Sequence, residues 1–390
     1  MRGCHARMPP MMIPELLARC THLKPDPSEH PLLVQRGQEI EEWDALLAVA
    51  QRHGMGPLLY WHMRGARVPL PQEVLYTLSG TFVRHRHANQ VRTRVLGQVL
   101  EAFAAVGIEA VVVKGGALSH LLYPEPTLRP MSDVDLLIGR QELLRARQTL
   151  VELGMSAPLP PGGESDKSLP TAGTIVEGVW VGIELHDDLF ESAFDARLTL
   201  DDLTLPPLSF SLGDSGAVAH TLGLEELLWH LCEHLRFHTT VFLPWRLIWV
   251  TDILGVAERF AAELDWDEIA RRYPRVLSTL SLLQHLRPLR PEVLERIPAS
   301  AGQRPRGVGA DFAGWPRYSL SQQRGKSVVR IVKDTWLPPE WWLRLHRGLD
   351  SDALLWRERW IGHPWEILGW MRHYWRNRTE NRAATAPIEA

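Results

Sequence analysis

Two aspartates one residue apart, in Ser132-Asp133-Val134-Asp135-Leu136-Leu137-Ile138, carry the strongest chemical signal in this chain. Side chains of a strand alternate between faces, so Asp133 and Asp135 project together while Val134, Leu136 and Ile138 take the other side. Two neighbouring carboxylates on an apolar strand repel each other and lose hydration, and a hard cation removes both problems. Oxygen donors of this kind select Mg²⁺ or Mn²⁺, usually shared with substrate phosphates. Taken alone, the pair also fits a solvent-facing edge strand whose charges discourage aggregation. A third acid narrows the choice. In Val179-Trp180-Val181-Gly182-Ile183-Glu184-Leu185-His186, the residues Trp180, Gly182, Glu184 and His186 share one face, opposite Val181, Ile183 and Leu185. Asp133, Asp135 and Glu184 are therefore the candidate catalytic and metal-binding acids, in a set suited to two-metal phosphoryl transfer. His186 is an accessory candidate that could orient an acceptor or tune Glu184, and it fits a structural role equally well.

Residues suited to phosphate lie upstream. Lys114-Gly115-Gly116 ends one predicted strand and opens a helix. Glycines there let backbone N–H groups approach an anion, and the helix dipole favours negative charge. Lys114 stands out because the chain has 38 Arg against five Lys. A compact ammonium suits a phosphate contact, whereas the plainer reading is a lysine reaching the surface. Arg129 is a further candidate for triphosphate charge, or an ion-pair partner of Asp133.

The string VVVKGGALSHLLYPEPTLRPMSDVDLLI followed by GIELH resembles the DNA-polymerase-β-type nucleotidyltransferase superfamily, and within it a bacterial family of uncharacterised nucleotidyltransferases. EWDALLAVAQRHGMGPLLYWHM is similar to that family's N-terminal helices, and EELLWHLCEHLRFH with WRLIWVTDILGV to its C-terminal helical section, so the resemblance spans roughly residues 40 to 370. It implies an α+β fold with a polymerase-β-like core flanked by helices. It also implies Asp133 and Asp135 as the metal-binding pair, Glu184 as the third carboxylate, and Lys114, Gly115, Gly116, Arg129 and Ser132 as nucleotide-binding residues. The implied reaction is attack by a hydroxyl or phosphate oxygen on an NTP, first of all ATP, with Mg²⁺ or Mn²⁺ and release of pyrophosphate. The acceptor would be a peptide, small molecule or protein, with nucleic acid disfavoured. Gly-Gly stands where most of the superfamily has Gly-Ser, and Asp187 where an aromatic is expected. A kinase-like outcome and a non-catalytic nucleotide-binding protein stay open.

A zinc hydrolase is a separate alternative. His230-Leu231-Cys232-Glu233-His234 matches H-x-x-E-H, and His238 continues the same helical face. His220, His230 and Asp252 could also line a nucleotide cleft, or serve as polar contacts in a helix bundle.

The elements that must hold these residues follow from periodicity and turn signals. Residues 1–38 form an extension and 39–106 a helical section, in which a long helix runs from Pro71 to Ala105 and a break stays open near Arg84 to Asn89, where the sequence turns polar nearly all round. The nucleotidyltransferase core is expected over 107–215, with loops at 157–173 and 201–217. A helical section over 216–296, a linker over 297–320 and a Trp/Arg-rich tail over 321–390 complete the chain. Nine of the 16 tryptophans lie from Trp315 onward. Helices packed on the core are expected there, ahead of an acceptor-binding wall or membrane contact. A net charge of −3 gives no global attraction to nucleic acid. Three cysteines without a CxxC exclude a disulfide scaffold. No apolar run reaches membrane-spanning length, and no export signal is apparent, so a cytoplasmic location is expected.

Overall fold

The structure is a computed structural model that describes residues 12–157, 170–190, 196–213, 216–240, 246–297, 327–349, 352–369 and 371–372. Four short helices, α1 (Met12–Arg19), α2 (His30–Gln38), α3 (Trp43–Arg52) and α4 (Gly56–Gly65), precede the long helix α5 (Gln72–Ala105). The long helix read from Pro71 to Ala105 is continuous, without the break left open in its centre. Its polar middle is a bridge between two cores rather than a solvated face. Val74, Leu78 and Phe82 pack with the N-terminal helices, whereas Val91, Val95, Leu96, Val99 and Phe103 pack on the sheet. Between them several polar side chains have tertiary partners. Asn89 donates to the carbonyls of Pro126 and Arg129, Arg86 meets Glu125 and Arg94 meets Glu177.

The sheet carries the candidate site. Strand β1 (Ala110–Val113) leads directly into α6 (Lys114–Leu121), with Lys114, Gly115 and Gly116 in its first turn. Strand β2 (Asp133–Ile138) is followed by α7 (Leu143–Glu152), and then β3 (Ala172–Val176) and β4 (Val179–His186) form a hairpin. The order is β1-β2-β4-β3, with β2 parallel to β4 and the other pairs antiparallel. The period-2 pattern has its predicted effect. Val134, Leu136, Val181, Ile183 and Leu185 are buried against α5 and α7, so the acids of the same strands face the other way.

That other face is closed by helices. The stretch 201–217, expected as connection only, holds β5 (Leu208–Ser211), paired with β6 (Val218–Thr221). Strand signals there are short and the prolines and glycines around them masked the hairpin. Helices α8 (Leu224–Thr240), α9 (Leu247–Arg259), α10 (Trp266–Arg272), α11 (Pro274–Leu283) and α12 (Pro291–Leu294) follow. Val111, Val113 and Leu137 join Leu227, Leu228, Leu231 and Ile253 in one core. In the tail, α13 (Val328–Trp336), α14 (Glu340–Arg347) and α15 (Asp352–Arg357) are helical, and a π-turn spans Glu358–Gly362. Trp341 and Trp342 are fully buried, with α14 against α8 and α11. Trp356, Trp360 and Trp365 are exposed, while Trp315, Trp370 and Trp375 lie outside the described residues. No helix among the described residues is long and apolar enough to cross a membrane.

One buried ion pair ties core to helical section. Arg129 reaches across from the proline-rich loop to Asp252 of α9, donating through Nε at 3.1 Å and Nη2 at 2.8 Å to Oδ2. Tyr123 donates to the other oxygen at 2.7 Å. Asp252 is 1% exposed, so losing one partner strands a charge without water. Asp252→Ala is expected to destabilise the fold by about 3–5 kcal/mol in urea unfolding, and Asp252→Asn by less, because only the second keeps an acceptor for Tyr123.

Candidate active site

Register places the acids. Asp135 of β2 lies beside Glu184 of β4 and, on its other side, beside Val113 at the end of β1. Lys114, the next residue, has φ 52, a left-handed conformation that a non-glycine residue adopts only under local constraint. From there its Nζ lies 2.6 Å from Asp135 Oδ1. His186 Nε2 approaches the same oxygen at 2.9 Å and Glu184 Oε2 at 3.7 Å. The proton therefore belongs on Nε2, where it is donated to Asp135. Thr171 donates to Glu184 Oε1 at 3.0 Å.

The electrostatics follow from this packing. Burial opposes ionisation of Asp135, but the Lys114 ammonium and the His186 hydrogen bond override it and hold the carboxyl well below the usual carboxylate range. Burial likewise works against the charge of Lys114, yet Asp135, with Glu184 and Asp133 beyond it, raises its pKa above the ordinary lysine value. Facing them from α8, His230 has both ring nitrogens buried and without a hydrogen-bond partner among the described residues. Burial, then the charge of Lys114, pushes its pKa down to about 3. It is a neutral wall to the site.

Ligand atoms of Asp135, Glu184 and His186 all lie within 4.8 Å of one another, the one group among the described residues of three or more His, Cys, Asp or Glu side chains able to hold a metal ion. The two carboxylates fit a divalent cation, with His186 beside them as a hydrogen-bond donor through Nε2: both contacts to Asp135 fall on Oδ1, and no hydrogen bond among the described residues falls on Oδ2. Asp133 shares the face but stands outside that group, half-buried at the mouth of the sheet. Ser132 is exposed beside it.

The remaining sequence candidates fall elsewhere. Arg129 is spent on Asp252. Gly115 and Gly116 are buried in the first turn of α6 because nothing larger fits. A Cβ on Gly115 would stand 2.8 Å from Arg129 Nη1, and one on Gly116 2.9 Å from Val112 Cγ1. Their close packing brings the α6 N-terminus and Lys114 onto the acids. Asp187 is buried, with Arg140 at 3.6 Å. His220 is exposed in the β5–β6 hairpin, bonded to Ser209. The H-x-x-E-H helix does not form a metal group among the described residues. Glu233 pairs with Arg236 at 2.5 Å, and the rings of His230 and His234 stand 6.4 Å apart edge to face. Thr171, Tyr123 and Asp252 were not legible as partners in the sequence, since each meets its partner through the fold.

A family model described as "Uncharacterised nucleotidyltransferase" matches residues 39–287, which include every residue of this cluster. The chain belongs to that family. As a nucleotidyltransferase it is a transferase, and its mixed helix-and-sheet architecture is the α+β, polymerase-β-like one the resemblance implied. The match ends near α11 and leaves the tryptophan-rich tail outside it, short of the span to residue 370 read from the sequence. Among solved structures, the solution structure of the antibiotic-resistance factor ANT(2'')-Ia is similar at 13% identity, covering 45% of this chain and 87% of that one, with a TM-score of 0.31. A search of the curated proteins finds no match.

Lys114 supplies a pH test of the nucleotidyltransferase's site. Because the folded pKa of Asp135 lies below the unfolded value of about 3.9, the pair's stabilisation is complete above that pH and is lost as pH falls beneath it. In metal-free buffer, Lys114→Met should lower unfolding free energy by about 1–3 kcal/mol near neutral pH, with the gap from wild type narrowing towards about pH 3.

Proposed function

We propose that this nucleotidyltransferase moves a nucleotidyl group from an NTP, with ATP the first donor to test, to a hydroxyl or phosphate oxygen of a peptide, small molecule or protein, releasing pyrophosphate. The observation that carries the reading is the strand register that sets Asp135 beside Glu184, with Lys114 at the mouth of α6 in contact with the first of them.

Asp135 and Glu184, with Asp133 at the rim, would hold Mg²⁺ or Mn²⁺, which when bound supplies positive charge to the triphosphate and acidifies an acceptor hydroxyl. The protein's own groups account for the rest. Lys114 balances Asp135 in the resting site and opens α6, whose N-terminal N–H groups suit phosphate oxygens. Glu184, half-exposed and held by Thr171 through one oxygen, keeps the other towards His186 and the acceptor side. There it is suited to take the proton of the attacking hydroxyl. His186 fixes the carboxylates relative to each other. The buried wall of α8, with neutral His230, keeps water and extra positive charge away from that face.

Donors labelled at different phosphates separate the outcomes. Label on the α-phosphate should appear in the acceptor and label on the γ-phosphate in pyrophosphate; γ-label in the acceptor would establish the kinase-like outcome instead. Asp135→Asn and Glu184→Gln should each reduce transfer by about 10³-fold. Chelation should abolish transfer and Mg²⁺ restore it. Full turnover in both variants would overturn the reading.

A further inference from the structure

Trp180 shares the face of Glu184 but has no place in that chemistry, and its surroundings are built for it. Its indole lies down across two glycines. A Cβ on Gly173 would come 2.2 Å from Trp180 Cζ2, and one on Gly182 would come 3.2 Å from its Nε1. The two glycines are cross-strand partners in the β3–β4 hairpin, so the ring rests on a bare patch of backbone. An indole recruited only to fill space would be enclosed on both sides, but Trp180 is 50% exposed. One face covers backbone and the other is open. One of the glycines under the ring adjoins the reacting groups. Gly182 pairs with Asp133 across the strands, and a Cβ on it would also press on Thr171, the residue that holds Glu184.

Position in the sheet says which substrate meets this ring. β2 lies between β1 and β4. Lys114 and the α6 N-terminus follow β1, on one side of the acids, whereas Trp180 and the β3–β4 hairpin lie on the other. In-line displacement places the attacking oxygen opposite the departing pyrophosphate. With the triphosphate on the α6 side, the acceptor comes from the Trp180 side.

We infer that Trp180 is the binding platform for the acceptor, and that the acceptor carries its nucleophilic oxygen on or next to a ring whose flat apolar face stacks on the indole. A glycosyl ring and an aromatic ring both present such a face. The inference rests on the nucleotidyl-transfer reading above and adds the acceptor class to it.

The test uses the full chain labelled with 5-fluorotryptophan, in which the Trp180 resonance is identified by its loss in Trp180→Phe. With Mg²⁺ and α,β-methylene-ATP present, methyl β-glucopyranoside and adenosine are titrated separately, with glycerol as an open-chain control. At least one ring probe should shift the Trp180 resonance while glycerol does not, and which of them does so separates glycosyl from aromatic acceptors. Binding of that probe, followed on its own protons, should weaken about tenfold in Trp180→Ala and stay within about twofold in Trp180→Phe. Calorimetric affinity for α,β-methylene-ATP should be the same in both variants as in wild type. The inference is overturned if neither ring moves the resonance, if glycerol moves it equally, or if Trp180→Ala weakens the nucleotide as much as the ring probe. Failure of the nucleotidyl-transfer reading shows differently, as absent binding of Mg²⁺ with α,β-methylene-ATP by the wild-type protein, and takes the acceptor platform with it.

Discussion

A carboxylate on the inner face of a buried strand must be paired or it will take up a proton, and Asp135 is paired through a single oxygen by Lys114 and His186. Much of the molecule serves that arrangement. The antiparallel β1–β2 register ends β1 beside Asp135, and the left-handed turn at Lys114 returns its side chain over the strand instead of into solvent. The parallel β2–β4 register then brings a second acid alongside. Each contact is short, and each leaves Asp135 Oδ2 and Glu184 Oε2 as the oxygens that a cation could share. A site balanced by a lysine in this way carries its buried carboxylate charge without a bound cation.

A second charge pair does different work. Arg129 and Asp252 form a closed unit with Tyr123, close enough to Asp135 for its charge to act on Arg129, and their burial makes the proline-rich loop part of the helical section. The guanidinium that might have met a triphosphate therefore acts as a strut. With α9 anchored there, α8 is held over the sheet face and presents His230 and His234 as uncharged walls, their pKa values lowered by burial and by Lys114. Helix α5 braces the opposite face along its second half and the N-terminal helices along its first, which explains a 34-residue helix with a polar centre.

The site was legible where chemistry coincided with period-2 alternation. Asp133, Asp135, Glu184 and His186 fall on one face because Val134, Leu136, Val181, Ile183 and Leu185 must fall on the other, and hydrophobic burial enforces that division. What alternation could not show was depth along the strand. Asp133 and Asp135 look equivalent in sequence, yet Asp135 is buried between Lys114 and Glu184 while Asp133 sits at the mouth. Nor could it show partners distant in the chain. Arg129 finds Asp252 123 residues on, and Glu184 finds Thr171 within a stretch read as loop. Helical periodicity was sound for α8, α9 and the long α5, and neither alternative left open, a break in the polar centre of α5 or a metal group at H-x-x-E-H, is found among the described residues. In the tail, two of the tryptophans, Trp341 and Trp342, form core and three stand exposed, a division that the count of aromatics alone could not make.

The central claim is that Asp135 and Glu184 together hold a divalent cation for nucleotidyl transfer. Anomalous diffraction from crystals soaked in Mn²⁺ with α,β-methylene-ATP tests it most directly. The account predicts a peak bridging Asp135 and Glu184, with the triphosphate at the α6 N-terminus and Lys114 moved from Asp135 towards it. A peak at His230 and His234, or nucleotide bound with no metal between the two acids, would contradict it.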